Sequence, residues 1–362
     1  MKIYINARFL TQTTTGVQRY AHEFVKALDA LLEEGEIDRT VYQFILLSPK
    51  QVLYEPNLRH ITLKKIGFAS GHFWEQLLLP FFTKGSLLLN LCNTGPMLKR
   101  KQIATIHDTA VFVNPDSFSM AFRLFYKLIQ TSLGLFSRKI VTVSNFSKTQ
   151  LIQHCHIKAH KISIVNGGKE HMLELIADER ILAQHQLLSK RYVLAVSSMN
   201  PSKNFANIVR AFQLLQNVDY EIVIAGGTNA RVFGNLAIPS SDKVKLLGYV
   251  SDVELKTLYE HAACFIFPSF YEGFGLPPLE AMTCGSPVIV SLAASLPEVC
   301  GEASLYCNPY SPMDMAFQIE RLMNDPDLQQ NMRLKGLERA KQFTWQTCAR
   351  RMFHVIEEVA GA

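Results

Sequence analysis

Residues 268–280 read Pro-Ser-Phe-Tyr-Glu-Gly-Phe-Gly-Leu-Pro-Pro-Leu-Glu and follow the apolar run Cys264–Pro268. A short run of this kind reads as a strand buried on both faces. Pro277 and Pro278 suit the first turn of a helix, where a missing N–H costs nothing. Gly273 and Gly275 let the backbone approach a ligand closely. The N–H groups of Gly273, Phe274, Gly275 and Leu276 then point outward at the positive end of a helix, which makes an anion site suited to a diphosphate. Such a site lies at the C-terminal end of a strand, where open α/β sheets bind ligands. Glu272 and Glu280 flank it. On one helix they would stand about 12 Å apart, too far for a directly paired acid and base. They suit the two ends of an extended ligand, with Glu280 at a ribose diol and Glu272 at sugar hydroxyls beyond the diphosphate. A surface Glu and a dipole-favoured helix-start Glu are the plainer alternative. The Gly and Pro punctuation around them argues against it.

Outward from this segment, the chain alternates strands and helices. One series runs through Tyr192–Val196, Glu221–Ala225, Lys245–Leu247 and Pro287–Val290. An earlier one runs through Lys2–Asn6, a helix over Val17–Leu31, then Val41–Leu47, Gln102–Ile106 and Lys139–Val143. Ser144 and Asn145 are candidate caps for a helix beginning near Phe146. The pattern predicts an α/β protein of two Rossmann-like domains. The break falls at Asn166–Gly168, giving domains 1–168 and 169–345.

Charge changes sign at the same place. Residues 1–169 hold 21 Lys and Arg against 10 Asp and Glu, while 170–362 hold 16 against 21. Ser117–Lys169 contains eight cations and no carboxylate. A basic half of this kind points to an anionic partner, nucleic acid or a membrane surface, with a solvated basic face as the plain alternative. The seven scattered cysteines form no CxxC pair and fit a reducing, cytoplasmic setting. The N-terminus reads as a strand rather than a secretory signal. The nearest approach to a membrane span, Phe73–Phe82, is interrupted by Glu75 and Gln76.

The segment FYEGFGLPPLEAMTCGSPVIVS, with its E-x7-E spacing, resembles the retaining GT-B glycosyltransferases of carbohydrate-active family four. INARFL, TGVQRY, VSNFSK, NPSKNFANIVRAF, VIAGG, LLGYVSDVEL and SLPEVCGEASLY are similar to that family in order and spacing. FWEQLLLP and GPMLKRKQIATIHDTAVF resemble a subgroup that builds bacterial O-antigens and other envelope polysaccharides. The resemblance implies two Rossmann-like domains with parallel sheets facing across a cleft, and a last helix, from about Trp345, crossing back to the first domain. It implies Gly16 near the donor phosphate and acceptor, His107 facing the transferred sugar, and Lys203 neutralising the leaving diphosphate. It further implies Glu272 at the donor sugar, Glu280 at the ribose, and Val250 at the base. Ser197 and Ser202 stand where the family often has a second cation, so Lys203 carries more of the phosphate charge alone.

By that resemblance the protein transfers a hexose, first choice mannose from GDP-mannose, with retention and without a metal. The acceptor is a polyprenyl-diphosphate-linked saccharide, and nucleic acid is not a partner. The enzyme then sits peripherally at the inner face of the cytoplasmic membrane. Several of Lys64, Lys65, Lys84, Lys99, Arg100, Lys101, Arg123, Lys127, Arg138 and Lys139 would meet anionic lipid, with Phe73, Trp74, Phe81 and Phe82 inserting if exposed. A soluble-sugar transferase using a UDP- or other nucleotide-sugar, a nucleotide-sugar epimerase and a silent binding subunit are the alternatives. His154, Cys155, His156 and His160 match no zinc spacing. His107-Asp108 lacks the GxSxG elbow of a hydrolase, and no GxGxxG supports a dehydrogenase. The Phe-rich stretches Phe68–Phe82 and Phe112–Phe136 read as core.

Overall fold

The computed structural model describes residues 1–188, 191–196, 200–215, 218–226 and 243–361. The chain divides into two compact units, Met1–Gly168 with Thr344–Ala362, and Lys169–Phe343.

The first unit is a parallel sheet of β1 (Lys2–Asn6), β2 (Gln43–Ser48), β3 (Thr62–Lys65), β4 (Leu87–Asn90), β5 (Gln102–Thr105), β6 (Lys139–Thr142) and β7 (Ile162–Ile164). Their order is β3-β2-β1-β4-β5-β6-β7, so the winding direction reverses between β1 and β4. The helices between them are α1 (Gly16–Glu33), α2 (Met120–Phe136) and α3 (Asn145–Cys155). Thr15 and Gln18 form a capping box that starts α1, and Ser144 caps α3 by accepting from the Ser147 N–H at 3.0 Å. Tyr20, Phe24, Leu28 and Leu31 form the buried stripe of α1. At about 3–5 kcal/mol for a buried Phe→Ala change, losing Phe24 alone would cost much of a domain's stability.

The C-terminal helix Trp345–Ala360 belongs to this unit and packs on α1. Arg350 bridges Glu36 at 2.7 Å and Gln346 reaches Glu34 at 3.0 Å. Gly168 makes the close approach possible, since a Cβ there would fall 2.1 Å from the Trp345 nitrogen.

The second unit contains β8 (Tyr192–Val196), β9 (Glu221–Ala225), β10 (Val244–Gly248), β11 (Cys264–Phe267), β12 (Val288–Ser291) and β13 (Ser304–Cys307). The order β10-β9-β8-β11-β12-β13 reverses between β8 and β11. Here α4 (Phe205–Leu214), α5 (Asp252–His261) and α6 (Leu276–Thr283) position the functional loops. Phe205, Ile208, Ile222, Ile266, Ile289 and Ile319 join in one core.

Several expectations need correction. Trp74 is fully buried, with its indole N–H on the Ile66 carbonyl at 3.0 Å, so it is no membrane anchor. Much of the Phe-rich sequence expected as core is at the surface: Phe68 is 83% exposed, Phe73 58% and Phe81 75%. Val41 lies outside β2 and is exposed. The strands β3, β4, β7 and β13 were not expected. The leucine run of β4 has no period of its own, and β7 is three residues long. No helix among the described residues is long and apolar enough to cross a membrane.

Candidate active site

In the second unit, β8 and β11 are neighbours at the point where the strand order reverses, and the loops leaving their C-terminal ends carry the expected residues. That is where open α/β sheets form ligand crevices. The loop after β8 turns through a 3-10 segment, Pro201–Lys203. It is fastened to the loop after β11 by the Phe270 N–H on the Ser202 carbonyl at 2.8 Å and the Ser269 hydroxyl on the same oxygen at 3.0 Å. Asn204, in left-handed backbone at φ 65°, donates to the carbonyls of Pro268 at 3.0 Å and Pro309 at 2.7 Å. This stitching brings the Lys203 ammonium onto the Glu272 carboxylate and 5.5 Å from the Phe267 ring centre. The two side chains remain 20% and 13% exposed, so the pair is accessible. A phosphate arriving here competes with Glu272 for the ammonium, and a displaced Glu272 is free to accept from a hydroxyl.

Gly275 begins α6 at φ 102°, and a Cβ there would lie 2.8 Å from Leu296 Cδ2. The Ser295 hydroxyl lies 3.0 Å from the Glu272 carbonyl and 2.9 Å from the Phe274 carbonyl, holding both oxygens to one side. The N–H groups of Phe274, Gly275 and Leu276 meet no acceptor among the described residues. With Pro277 and Pro278 next, the start of α6 presents main-chain donors with no internal acceptor, an arrangement suited to an anion.

Glu280 is not simply open. Its Oε1 is 3.0 Å from His171 Nε2, and its Oε2 accepts from the Tyr259 hydroxyl at 3.2 Å. Burial, with Glu280 beside it, raises the Tyr259 phenol well above its usual value, so Tyr259 stays a donor. Each carboxylate oxygen keeps a second lone pair for a diol. Val250 follows β10 and precedes Ser251, which caps α5. Ser197 lies outside the described residues.

In the first unit, His107 follows β5. Its Nε2 is 2.8 Å from the Leu91 carbonyl, and its main-chain N–H donates to Asn93 Oδ1 at 2.6 Å. A carbonyl only accepts, so Nε2 carries the proton and Nδ1 the lone pair. Burial pushes the imidazole down to about 4, against a smaller opposing effect of the Leu91 bond, so the ring is neutral at pH 7. Tyr20 packs edge-on at 4.8 Å. Gly16 is exposed at the start of α1 and outside left-handed backbone, so no backbone strain demands a glycine there.

No sequence spacing connects His171 or Tyr259 to Glu280, or Asn93 to His107; they meet only through the fold. Asn204 had a usable signal, since Asn tolerates left-handed backbone. Among the described residues no three His, Cys, Asp or Glu side chains gather as a metal site.

The pattern of glycosyl transferases group 1 matches residues 177–339, which include Lys203, Tyr259, Glu272, the start of α6 and Glu280 but not His171. The chain is also 33% identical over 264 residues to O-antigen chain mannosyltransferase B of Escherichia coli, covering 70% of this chain and 69% of that one. The chain belongs to glycosyl transferases group 1. This group 1 glycosyltransferase is 27% identical over 337 residues to O-antigen chain mannosyltransferase RfbU of Salmonella typhimurium, covering 89% and 91% of the two. Among solved structures it resembles sucrose-phosphate synthase from Thermosynechococcus elongatus, with a TM-score of 0.74 at 18% identity and 99% of each chain covered. That likeness assigns the two-unit GT-B fold to the group 1 enzyme.

Proposed function

We propose that this glycosyltransferase moves mannose from GDP-mannose onto a polyprenyl-diphosphate-linked saccharide in O-antigen synthesis, with retention and without a metal. The observation that carries the reading is the Lys203–Glu272 pair beside the open start of α6, at the C-terminal ends of β8 and β11. The names of the two O-antigen mannosyltransferase relatives support the sugar and the pathway.

Lys203 and the N–H groups of Phe274, Gly275 and Leu276 hold the diphosphate, and Glu272 accepts from hydroxyls of the mannose. Glu280 accepts from the ribose, and Val250 lies by the base. The anomeric carbon–oxygen bond to phosphate breaks with its electron pair passing to the diphosphate. The acceptor oxygen bonds the same face, and its proton passes to the departing phosphate. The protein contributes fixed charge and hydrogen-bond donors rather than a nucleophile. In the first unit, neutral His107 offers Nδ1 to a sugar hydroxyl.

The enzyme docks peripherally on an anionic bilayer at the inner face of the cytoplasmic membrane. The first unit has a hollow of about 590 Å³ whose lining includes Leu77, Pro80, Met97 and Leu98 together with Lys84, Arg100 and Lys101. Leu77 is 57% exposed and Leu98 79%. Apolar side chains among cations suit acyl chains beneath anionic headgroups.

A thermal-shift series across nucleotide-sugars tests the donor, since a ligand at many times its Kd raises stability. GDP-mannose should give the largest rise, and a larger response to a UDP-sugar would replace it. NMR of the product's anomeric signal tests retention. Activity in EDTA should persist, and Glu272→Gln should abolish transfer while leaving the fold intact.

A further inference from the structure

The FWEQ segment of the first unit has a role in neither donor binding nor the hold on His107, yet it supplies the carboxylate of a buried polar cluster. Glu75 is 1% exposed in its side chain and lies on a π-helical turn, Trp74–Leu78, a distortion frequent at functional sites. Its Oε1 receives Asn6 Nδ2 at 2.8 Å, Thr94 Oγ1 at 2.9 Å and Arg8 Nε at 3.2 Å. Its Oε2 lies 3.1 Å from His72 Nδ1. Burial would raise this carboxyl, but the His72 bond, the Arg8 charge and the Asn6 bond outweigh it and keep Glu75 ionised.

The location is as telling as the bonding. Asn6 ends β1, and Thr94 follows β4. These are the two strands between which the first sheet reverses its order, so the cluster occupies the ligand-crevice position of that sheet. An ionised carboxylate only accepts, so His72 donates from Nδ1, and in the neutral ring Nε2 is the acceptor. The His72 side chain is 31% exposed, the most open part of the dyad. Beside it run stacked rings on α2 and in the turn before it. Tyr126 lies 5.7 Å from the His72 ring, Phe122 stacks on Tyr126 at 4.0 Å and 18°, and Phe118 stacks on Phe122 at 5.4 Å and 6°. Phe122 is 39% exposed.

A pyranose has an apolar C–H face and a rim of hydroxyls. It is matched by an apolar strip of aromatic ring edges next to a hydrogen-bond acceptor. We propose that His72, oriented by Glu75, together with the Phe122–Tyr126 stack, is the subsite that receives the terminal sugar of the acceptor. Glu75 is a positioning residue that acts through His72. The assignment rests on the mannosyl-transfer reading above, and the test separates the two.

The full chain is assayed with GDP-mannose as donor and octyl α-D-mannopyranoside as acceptor probe, in wild type, His72→Phe, His72→Gln and Phe122→Ala. Hydrolysis of GDP-mannose without the probe and calorimetric GDP affinity are measured alongside. His72→Phe should raise KM for the probe about tenfold, the loss of one well-placed hydrogen bond. Phe122→Ala should raise it severalfold. GDP affinity and donor hydrolysis should stay unchanged. His72→Gln, which can donate to Glu75 and still accept, should restore most of the loss. An unchanged KM in both His72→Phe and Phe122→Ala, with hydrolysis intact, overturns the subsite alone. So does a parallel fall in GDP affinity, or wild-type enzyme that hydrolyses the donor yet never uses the probe. Absence of both hydrolysis and transfer in every form overturns the mannosyl-donor reading and the subsite with it.

Discussion

Replacing Gly275 by alanine tests the anion site at its narrowest point. The residue sits at φ 102°, where an L side chain costs about 1–2 kcal/mol. Its new Cβ would stand 2.8 Å from Leu296 Cδ2. Leu296 is fully buried and cannot swing into solvent, so an overpacking cost of about 1–3 kcal/mol adds to the backbone one. The sum, about 2–5 kcal/mol, is a large share of a domain's stability and should lower Tm by roughly 5–20 °C. The turn can relieve the clash only by moving the N–H groups of Phe274 and Leu276. Hydrogen bonds to a charged partner contribute about 1.5–3 kcal/mol each, so losing one should weaken GDP binding roughly ten- to two-hundredfold. Thermal denaturation with and without GDP reads both effects. Wild type gains about 2.7 kcal/mol at a hundred times Kd, and Gly275→Ala should gain far less at the same concentration. A variant with wild-type Tm and undiminished GDP stabilisation would show that the diphosphate does not rest on this turn.

Lys203→Ala should weaken GDP binding in calorimetry by roughly ten- to a hundredfold, through loss of a charged hydrogen bond; unchanged affinity for both GDP and UDP would place the phosphate elsewhere. His107 titrates near 4 in the folded protein against 6.5 in the unfolded chain, so the unfolded state binds the extra proton between those values. Its contribution is therefore complete above pH 6.5 and falls away by about 3 kcal/mol as pH drops to 4. His107→Asn should flatten the fall of Tm over that window, with His22, also lowered to about 4, keeping part of the slope; an identical profile would refute the burial argument. Lys84→Glu, Arg100→Glu and Lys101→Glu together should reduce co-sedimentation with phosphatidylglycerol vesicles by roughly a hundredfold, at about 1 kcal/mol per residue. Equal wild-type recovery with neutral and anionic vesicles at low salt would refute docking.

The second unit was the more legible half. Tyr192–Val196 and Glu221–Ala225 are observed with the bounds their apolar runs predict, because both are uninterrupted and end in loop residues. The segment 268–280, a loop running into α6, announced itself through Gly and Pro, whose effects are local and need no tertiary context. The first unit hid more. Leu87–Asn90 lies in a leucine-rich run that could be helix or strand, and only its place between β1 and β5 decides. The exposed Phe73 and Phe81 broke the rule that Phe is interior, because that rule runs one way: apolar residues fill the core, yet much of a folded surface is still apolar. Nothing in the spacing around Glu280 showed it as a partner of His171, 109 positions earlier.

The two sheets share a feature that sets their chemistry apart. Each carries a cation–carboxylate pair where its strand order reverses: Arg8 with Glu75 in the first unit, Lys203 with Glu272 in the second. Their burial differs. Arg8 and Glu75 are 8% and 1% exposed, against 20% and 13% for Lys203 and Glu272. Opening the buried pair would strand an unpaired charge at a cost of about 3–5 kcal/mol, which no single sugar hydroxyl returns. The Arg8–Glu75 pair therefore stays closed, and its influence passes outward through the hold on His72. The accessible Lys203–Glu272 pair can exchange one partner for another, since a phosphate offers the ammonium a better acceptor than Glu272 does. On the proposed reading, donor arrival would free Glu272 at the moment a sugar hydroxyl needs an acceptor, and the ion pair would protect both side chains from competing partners until the diphosphate is in place.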